Sequence, residues 1–435
     1  MPTLTSHPRL RVLIYWIYYF FFFGIAVGLF TITLPVYLAA HGVNAGGVGF
    51  TLLMFNLPLS LLFFVAIIVD KYTNFTMGRR RFWIIISLIL NMCVLCLMLV
   101  PFSFLSYPYL LGILLFAYNF TMVIGTVAFY AQAIELTPET KYNSVASYIL
   151  NAAGVGYFVG AVGLGTILTN YANGWNLCIG IMLICTFLIF LAFLLVRENV
   201  NNVYLSIKRE NKNIPNMQEK PYSIKGIIKD LWHICTQRYQ AIFIVYLLFF
   251  CGITAGYIYA FTPVLAVNSF KWTDAAYTQI IGVITPIMYA FGPLIGGYMA
   301  VKLGNIKTLI IMISFYSIAF AVIAFSHQYW LVSYFASQFF IILMNGTFDF
   351  SDAVNWTSIN GICMEITNKK ISATHFNFLT SLQNLSIALG SGVYALLGGI
   401  LTAKSGFYFI LLFNILTIGI LLILAKVMKG HIVKV

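Results

Sequence analysis

Long apolar stretches separated by short polar segments make up almost the whole chain. Most of them are about 20 residues or longer, which is the length that an α-helix needs to cross the hydrocarbon core of a bilayer. The pattern predicts an all-α membrane protein with twelve transmembrane helices, at 12–39, 47–69, 82–103, 109–134, 144–169, 175–196, 239–267, 276–301, 308–326, 331–360, 373–402 and 407–427.

A polar stretch at 197–238 separates the predicted helices into two parts of similar length. Each part carries a charged hairpin after its second helix, and internal duplication of this kind is typical of secondary transporters. We therefore expect two six-helix bundles joined by a cytoplasmic linker, with domains at 1–196, 197–238 and 239–435.

The second part of the linker has apolar residues at helical spacing with lysines between them, at Ile224, Ile227, Ile228, Leu231 and Trp232. This pattern predicts an amphipathic helix that lies in the membrane interface. A docking site for a regulatory partner is the alternative interpretation of the same residues.

Three adjacent arginines, Arg79, Arg80 and Arg81, follow the second predicted helix. Each would cost about 2.5 kcal/mol or more in hydrocarbon, so the hairpin that carries them must lie in water. Its positive charge predicts a cytoplasmic location. With both termini on that side, all of the 24 Lys and Arg residues are cytoplasmic except Lys271 and Lys404. The charges therefore predict cytoplasmic termini in a membrane such as the bacterial inner membrane.

Composition supports the membrane assignment and narrows the function. Hydrophobic residues make up 61% of the chain and charged residues 8%, whereas a soluble domain has about 25% charged residues. The net charge of +13 comes from basic loops, so we expect no nucleic-acid partner. Scattered histidines and the lack of a G-x-x-x-x-G-K-[ST] loop argue against a membrane-embedded transferase and against ATP-driven transport. We expect no metal, no cofactor and no catalytic residue.

Two acidic residues, Asp349 and Asp352, lie at membrane depth in the tenth predicted helix, with no basic residue at that depth. Their spacing places both on one face of the helix. Acids inside membrane helices usually mark an ion or substrate path, and two close carboxylates without a counter-charge should share a proton at neutral pH. The pair is our candidate for proton coupling, with an interhelical structural role as the alternative. In the same long run, Asn345-Gly346 is a candidate helix break.

Polar side chains elsewhere in the predicted helices are candidates for a substrate cavity near the middle of the membrane, between the two halves. They are Tyr15, Tyr19, Asn56, Tyr118, Asn119, Gln132, Asn151, Asn345, Asn355, Gln383 and Asn384. For each residue alone, an interhelical hydrogen bond is the competing interpretation.

The two charged hairpins resemble the loop motif of the major facilitator superfamily, G-x-x-x-D-[RK]-x-G-[RK]-[RK]. The first copy has Ala66 at the first glycine position and extra residues before the second, and the second copy has Val301 where the motif has aspartate. The matching residues are Asp70, Lys71, Gly78, Arg79, Arg80 and Arg81 in the first copy and Gly297, Lys302, Gly304 and Lys307 in the second. The resemblance covers nearly the whole chain. It implies the superfamily's fold of two six-helix bundles, and a gate in which these residues latch one bundle to the other.

The longer first hairpin, D-K-Y-x(5)-G-R-R-R-x-W, is similar to that of the peptide and acetyl-coenzyme A transporter branch, which includes muropeptide permeases. The segment S-A-T-H-F-N-F-L-T-S-L at 372–382 resembles the S-A-T-Q-F-A-L-L-S-S-L of that branch. The branch often has Q-D-I-x-x-D-A in its fourth helix, whereas residues 123–133 read V-I-G-T-V-A-F-Y-A-Q-A here.

The sequence therefore predicts a secondary active transporter that moves a small organic solute by alternating access, as a monomer surrounded by membrane lipid. Proton co-transport is expected from the acidic pair. The branch resemblance implies a muropeptide-like substrate, or a siderophore-like one as in related carriers. A sugar–cation symporter is one alternative. A membrane sensor that no longer transports and a membrane-embedded transferase are alternatives of a different class.

Overall fold

The computed structural model describes residues 8–71, 80–100, 107–136, 152–196, 236–330, 334–366 and 372–432, together with Leu4, Ile149 and Trp232. Every regular element within these ranges is helical. The predicted all-α membrane fold is therefore confirmed. The predicted amphipathic helix of the linker lies outside the described residues, apart from Trp232.

The helices of the first half are α1 (Arg9–Ala40), α2 (Ala45–Val69), α3 (Arg81–Met98), α4 (Pro108–Leu136), α5 (Ala152–Asn170) and α6 (Gly174–Leu195). Those of the second half are α7 (Tyr239–Asn268), α8 (Asp274–Leu303), α9 (Asn305–Trp330), α10 (Tyr334–Ile366), α11 (Ser372–Leu397) and α12 (Ala403–Ile432). Ten of the helices in the described ranges are long and apolar enough to cross a membrane. The other two, α10 and α11, have the length but carry more polar residues.

The predicted break of α10 at Asn345-Gly346 is wrong, because the helix runs without interruption over 33 residues. The Asn345 side-chain amide donates to the carbonyl of Ile341 at 2.9 Å, and the Thr347 hydroxyl donates to the carbonyl of Leu343 at 2.7 Å. These side chains bond to the backbone of their own helix, so they do not pull it into a turn.

Consecutive helices run in opposite directions, so the end of α2, the start of α3, the start of α1 and the end of α12 lie on one side of the bundle. We call this the arginine side, after Arg80 and Arg81, and the other side the far side. The Arg81 guanidinium donates to the carbonyls of Phe193 and Leu194 at 2.7 and 2.9 Å, and Arg80 donates to the carbonyl of Val69 at 3.4 Å. The two arginines thus bind the carbonyl ends of α6 and α2, where a helix carries partial negative charge.

Glycines bring the backbones of α1 and α5 into direct contact. A Cβ atom on Gly28 would lie 2.1 Å from the carbonyl oxygen of Tyr157, and one on Gly160 would lie 2.0 Å from that of Ile25. Both helices widen into π-helical turns along this contact, at Tyr19–Gly24 and Leu29–Thr33 in α1 and at Val159–Leu164 in α5. Close approach of this kind is how membrane helices gain packing without a hydrophobic driving force.

The same contact recurs between α7 and α11, the first and fifth helices of the second half. A Cβ atom on Gly256 would lie 1.9 Å from the carbonyl oxygen of Ile387, and one on Gly390 would lie 2.1 Å from that of Ile253. Corresponding helices in the two halves therefore use corresponding glycine contacts, which is the internal repetition expected from the sequence.

The two halves meet on the far side. A Cβ atom on Gly49 of α2 would lie 2.6 Å from the backbone nitrogen of Ala395 of α11, and one on Gly282 of α8 would lie 3.2 Å from the Cβ of Ala161 of α5. Between the α1–α2 connection and the start of α8, His41 Nδ1 and Asp274 Oδ2 are 4.0 Å apart. These contacts join the halves on the far side, and the α2–α11 contact continues toward the arginine side, where the N–H of Phe63 donates to the hydroxyl of Ser381 at 3.2 Å.

Candidate functional site

Hydroxyl groups from two neighbouring helices hold the two acids of α10. Asp349 is 2% exposed and accepts a 2.5 Å hydrogen bond from the hydroxyl of Thr285. Asp352 is half-buried, and its Oδ2 accepts from Tyr289 at 2.5 Å and from Tyr259 at 3.1 Å. The two tyrosine hydroxyls are themselves 2.7 Å apart. One carboxylate thus joins α7, α8 and α10.

Local sequence explains why α8 can place its hydroxyls against α10. Thr285 and Tyr289 are four residues apart and therefore lie on one face of α8. Further along the helix, a Cβ atom on Gly292 would lie 2.5 Å from the Cβ of Ala353, and one on Gly296 would lie 3.1 Å from the Cα of Val354. The absence of side chains at these glycines lets α8 approach α10 closely.

The hydrogen-bond environments of the two acids differ. Asp352 accepts from two tyrosine hydroxyls, at 2.5 and 3.1 Å. Asp349 has a single side-chain donor, Thr285. Asp352 thus accepts one hydroxyl donor more than Asp349 does.

The first half of the chain contributes Tyr157 of α5 to the neighbourhood of the acids. Tyr157 lies within electrostatic range of both Asp349 and Asp352, and its hydroxyl is 3.2 Å from that of Thr31 of α1. A polar group of the first half therefore lies in the neighbourhood of the acids of the second half.

A small cavity opens beside Asp352 inside the second half. About 20 Å³ of it is accessible to the centre of a water molecule, which is room for one water and little more. Asn355 and Gln383, both predicted cavity residues, line it together with Asp352. The Asn355 Oδ1 and Gln383 Oε1 atoms are buried and have no hydrogen-bond partner. Three predicted polar residues from α10 and α11 thus meet at one place.

The predicted cavity residues near the start of the chain belong to an aromatic cluster. Tyr15 packs edge-on against Phe129 with ring centroids 4.9 Å apart, and Tyr19 lies 5.3 Å from Phe129 and 5.4 Å from Tyr130. Gln132 is fully buried next to this stretch, and neither end of its side-chain amide has a hydrogen-bond partner.

Most of the other cavity candidates make interhelical or local contacts. Asn119 of α4 donates to the carbonyl of Phe55, beside the tightened turn Leu57–Leu61 of α2. Asn56 donates to its own helix, at the carbonyl of Leu52, over 2.9 Å. Tyr118 packs on Phe30, Asn345 bonds within α10, and Asn384 is buried. Asn151 lies outside the described residues.

The second hairpin lies at the arginine-side end of α8. A Cβ atom on Gly297 would meet nothing within 4 Å, so the helix contact in this region is made by Gly296 instead. Gly304 has φ +87°, which ends α8 in a conformation that glycine adopts readily. Lys302 lies 4.5 Å above the ring of Tyr298, and Lys307 is exposed. In the first hairpin, Gly78, Arg79 and the side chains of Asp70 and Lys71 lie outside the described residues.

Four residues of the site were missed by the sequence analysis, namely Tyr157, Tyr259, Thr285 and Tyr289. The Thr285/Tyr289 pair carried a usable signal, since two hydroxyls four residues apart in an apolar helix share a face. Tyr157 and Tyr259 had none, because 27 tyrosines are spread along the chain.

An all-helical membrane protein that carries two acids at one turn's spacing within a membrane-spanning helix has the features of a secondary transporter. The family model described as Major Facilitator Superfamily matches residues 21–386, and the chain belongs to this family. Two solved structures share the fold, both of the nucleoside transporter NupG. The first is the structure of a point mutant in which an aspartate is replaced by alanine. It has a TM-score of 0.68 and 14% sequence identity, and the match covers 95% of this chain and 99% of that chain. The other NupG structure has a TM-score of 0.65 at 14% identity, covering 97% and 99%. No curated protein matches the chain.

Proposed function

We propose that the protein is a proton-coupled secondary transporter that moves a small organic solute by alternating access. The observation that carries this proposal is the Asp349–Asp352 pair, which lies at membrane depth and is held by hydroxyls of α7 and α8. Carboxylates at this depth are costly and usually mark an ion or substrate path.

In this proposal the pair holds a single proton, which resides on Asp349 while Asp352 stays ionised. Asp352 accepts from two hydroxyls and Asp349 from one, and none of the described residues that line the Asp352 cavity is basic. Binding of the proton reduces the negative charge of the pair. The reduced charge lowers the free-energy cost of the rearrangement, during which the site is shut off from water on both sides. The proton then leaves on the other side.

Tyr157 is proposed to couple this protonation to the movement of the halves. Its hydroxyl is 3.2 Å from Thr31, and it lies within electrostatic range of both acids. A change of charge on the acids therefore alters the interaction of the second half with the α1–α5 pair. A ligand or proton can shift a conformational equilibrium only through such a difference in interaction energy between the states.

The domain division and orientation that we propose follow the sequence. The bundles comprise 1–196 and 239–435, joined by a cytoplasmic linker at 197–238, with both termini in the cytoplasm and the protein in a bacterial inner membrane as a monomer. The hairpin residues Asp70 and Arg79 act in the gate, whereas the described contacts of Arg80 and Arg81 fix the ends of α2 and α6.

For the substrate, we propose a muropeptide-like solute, because the hairpin at 70–83 and the segment at 372–382 both resemble the peptide and acetyl-coenzyme A transporter branch. The solved structures of the same fold are of a nucleoside transporter, and their 14% identity supports the fold alone. Nucleosides, siderophores and sugars therefore enter the experiment as comparison substrates.

The test is uptake into proteoliposomes with an imposed pH gradient. We expect accumulation of a peptidoglycan fragment when the outside is acidic, and loss of accumulation when a protonophore removes the gradient. Accumulation of a nucleoside, siderophore or sugar instead would show that the proposed substrate is wrong, while the proposed proton-coupled mechanism would stand. Substrate binding without any uptake or exchange would contradict transport and indicate a sensor.

A further inference from the structure

Helix α7 is interrupted in the middle of its length. Its first segment ends at Phe249 and its second begins at Ile253. The backbone N–H groups of Phe250 and Cys251 both donate to the carbonyl of Tyr246, at 2.9 and 2.8 Å. The N–H of Gly252 donates to the hydroxyl of Ser386 on α11, at 3.0 Å.

These irregular bonds leave carbonyl groups of the first segment without their regular donors. In an uninterrupted helix, the N–H of Cys251 would bond to Leu247 and that of Gly252 to Leu248. The end of the segment also carries the partial negative charge of a helix C-terminus. The interruption therefore presents a negative end of backbone inside the second half of the protein.

The interruption borders the cavity beside Asp352. Phe250, Cys251 and Gly252 line the cavity, and across it are Asp352 and Asn355 of α10 and Gln383 of α11. Asn355 is 8% exposed and Gln383 is 2% exposed, and their amide oxygens have no hydrogen-bond partner. A carboxylate, two buried amide oxygens and the backbone of the α7 interruption thus border one small space.

Such a set of groups favours a positively charged or donating occupant. Buried acceptors without partners are costly, and an ionised carboxylate away from water needs a counter-charge. Among the described residues that line the cavity, none is Lys, Arg or His. The single carboxylate balances one positive charge, and carboxylate and carbonyl oxygens are the ligands that hard cations prefer.

We propose that this cavity binds a sodium ion through Asp352, Asn355, Gln383 and backbone carbonyls at the α7 interruption. The accessible volume of about 20 Å³ admits one dehydrated ion or one water. Carbonyls of interrupted helices coordinate sodium or protons in other secondary transporters. The proposal deepens the transport function proposed above, on which it rests, and assigns the proton to Asp349 and the metal cation to Asp352.

The test is binding of radioactive sodium to the purified, detergent-solubilised protein without substrate, at a pH where wild-type protein is monodisperse. We expect saturable binding that lithium competes for and that potassium and choline do not. Asp352→Asn removes the charge and is expected to abolish saturable binding. Gln383→Met removes one ligand oxygen at nearly constant size and is expected to weaken binding by about tenfold or more.

Two matched variants control for non-specific effects. Asp274→Asn makes the same charge change at the far side, and Gln338→Met makes the same amide substitution in α10 outside the cavity. Both are expected to bind sodium as wild type does. Sodium should also change the fluorescence of Trp356, which lines the cavity, and Trp356→Phe should remove that change.

Absence of saturable sodium binding to monodisperse protein would overturn the proposal and assign the cavity to a water molecule. Unchanged binding in both Asp352→Asn and Gln383→Met would also overturn it, because the ion would lie elsewhere. Proton-driven uptake is measured separately in proteoliposomes. Its loss with sodium binding intact would contradict the coupling mechanism and leave the cation site standing.

Discussion

The hydroxyl of Tyr289 on α8 donates a 2.5 Å hydrogen bond to the same Asp352 oxygen that accepts a bond from Tyr259 of α7. Asp352 itself belongs to α10, so a single carboxylate oxygen connects three helices. Any movement of α8 relative to α10 must keep or break this bond. Hydrogen bonds to ionised groups are about twice as strong as neutral ones, so the strength of this bond depends on the charge of Asp352. The charge of Asp352 thus affects how firmly α8 is held to α10.

Replacing Tyr289 by phenylalanine removes this donor and keeps the ring. A hydrogen bond to a charged group contributes about 1.5 to 3 kcal/mol, which corresponds to about 1 to 2 pH units. Because the donor stabilises the ionised form of Asp352, its loss lets Asp352 compete with Asp349 for the proton of the pair, and the pH of half-maximal uptake should move upward by at most that amount. The measurement is initial uptake rate against pH in proteoliposomes.

The control for this experiment is Tyr298→Phe, which removes a hydroxyl from an exposed position on the same helix. Its pH profile should match that of wild type. A profile for Tyr289→Phe that is lower in amplitude but unshifted in pH would show that the hydroxyl positions the helices without affecting the charge of Asp352.

Neutralising the acids separates coupling from substrate movement. Asp349→Asn and Asp352→Asn should each abolish accumulation driven by a pH gradient, because the proposed proton site or its charged neighbour is lost. Substrate exchange at equal pH, which requires no net proton movement, should survive in at least one of them. If both variants accumulate substrate as well as wild type does, the pair is structural and the coupling site lies elsewhere.

The position of the acids along the chain could be predicted, whereas their environment could not. Charged residues are so costly in hydrocarbon that Asp349 and Asp352 stand out in any apolar run. Their partners Thr285 and Tyr259 come from helices that are distant in sequence, and each is an ordinary residue for a membrane helix. The contact between helices, which no single helix encodes, decides which hydroxyls reach the carboxylates.

Helix continuity shows the same limit. Asn345-Gly346 has the composition of a break, yet α10 is continuous because Asn345 bonds to the helix backbone. Gly252 lies in a stretch that the sequence predicts as one unbroken helix, yet α7 is interrupted there and Ser386 of another helix bonds to its N–H. Local composition indicates where a helix break would cost little free energy. Whether the helix breaks there depends on the residues of other helices that contact it.

The glycine contact of α7 with α11 predicts a strong effect of a single methyl group. A Cβ atom on Gly256 would lie 1.9 Å from the carbonyl oxygen of Ile387, and a backbone atom cannot move aside as a flexible side chain can. Overpacking costs about 1 to 3 kcal/mol and sometimes more. Gly256→Ala should therefore lower the thermal midpoint and the yield of monodisperse protein, as measured by size-exclusion chromatography after heating.

The matched substitution is Gly419→Ala on α12, where a Cβ atom would meet nothing within 4 Å. It should leave the thermal midpoint unchanged or slightly higher, because alanine favours the helix over glycine. Equal midpoints for Gly256→Ala and wild type would mean that α7 and α11 can separate at this contact without loss.

The far-side contact between the halves provides a direct test of alternating access. A Cβ atom on Gly282 of α8 would lie 3.2 Å from the Cβ of Ala161 of α5, slightly closer than the mean separation of about 3.8 Å in disulfides. Combining Ala161→Cys with Gly282→Cys should therefore give a disulfide under mild oxidation.

Since the far side must open for a solute to enter or leave there, the oxidised double variant should lose uptake and recover it with a reductant. The single variants, oxidised in the same way, should keep their activity. Uptake by a fully cross-linked protein at the rate of its reduced form would show that α5 and α8 stay together throughout the cycle, and that the halves separate along another surface.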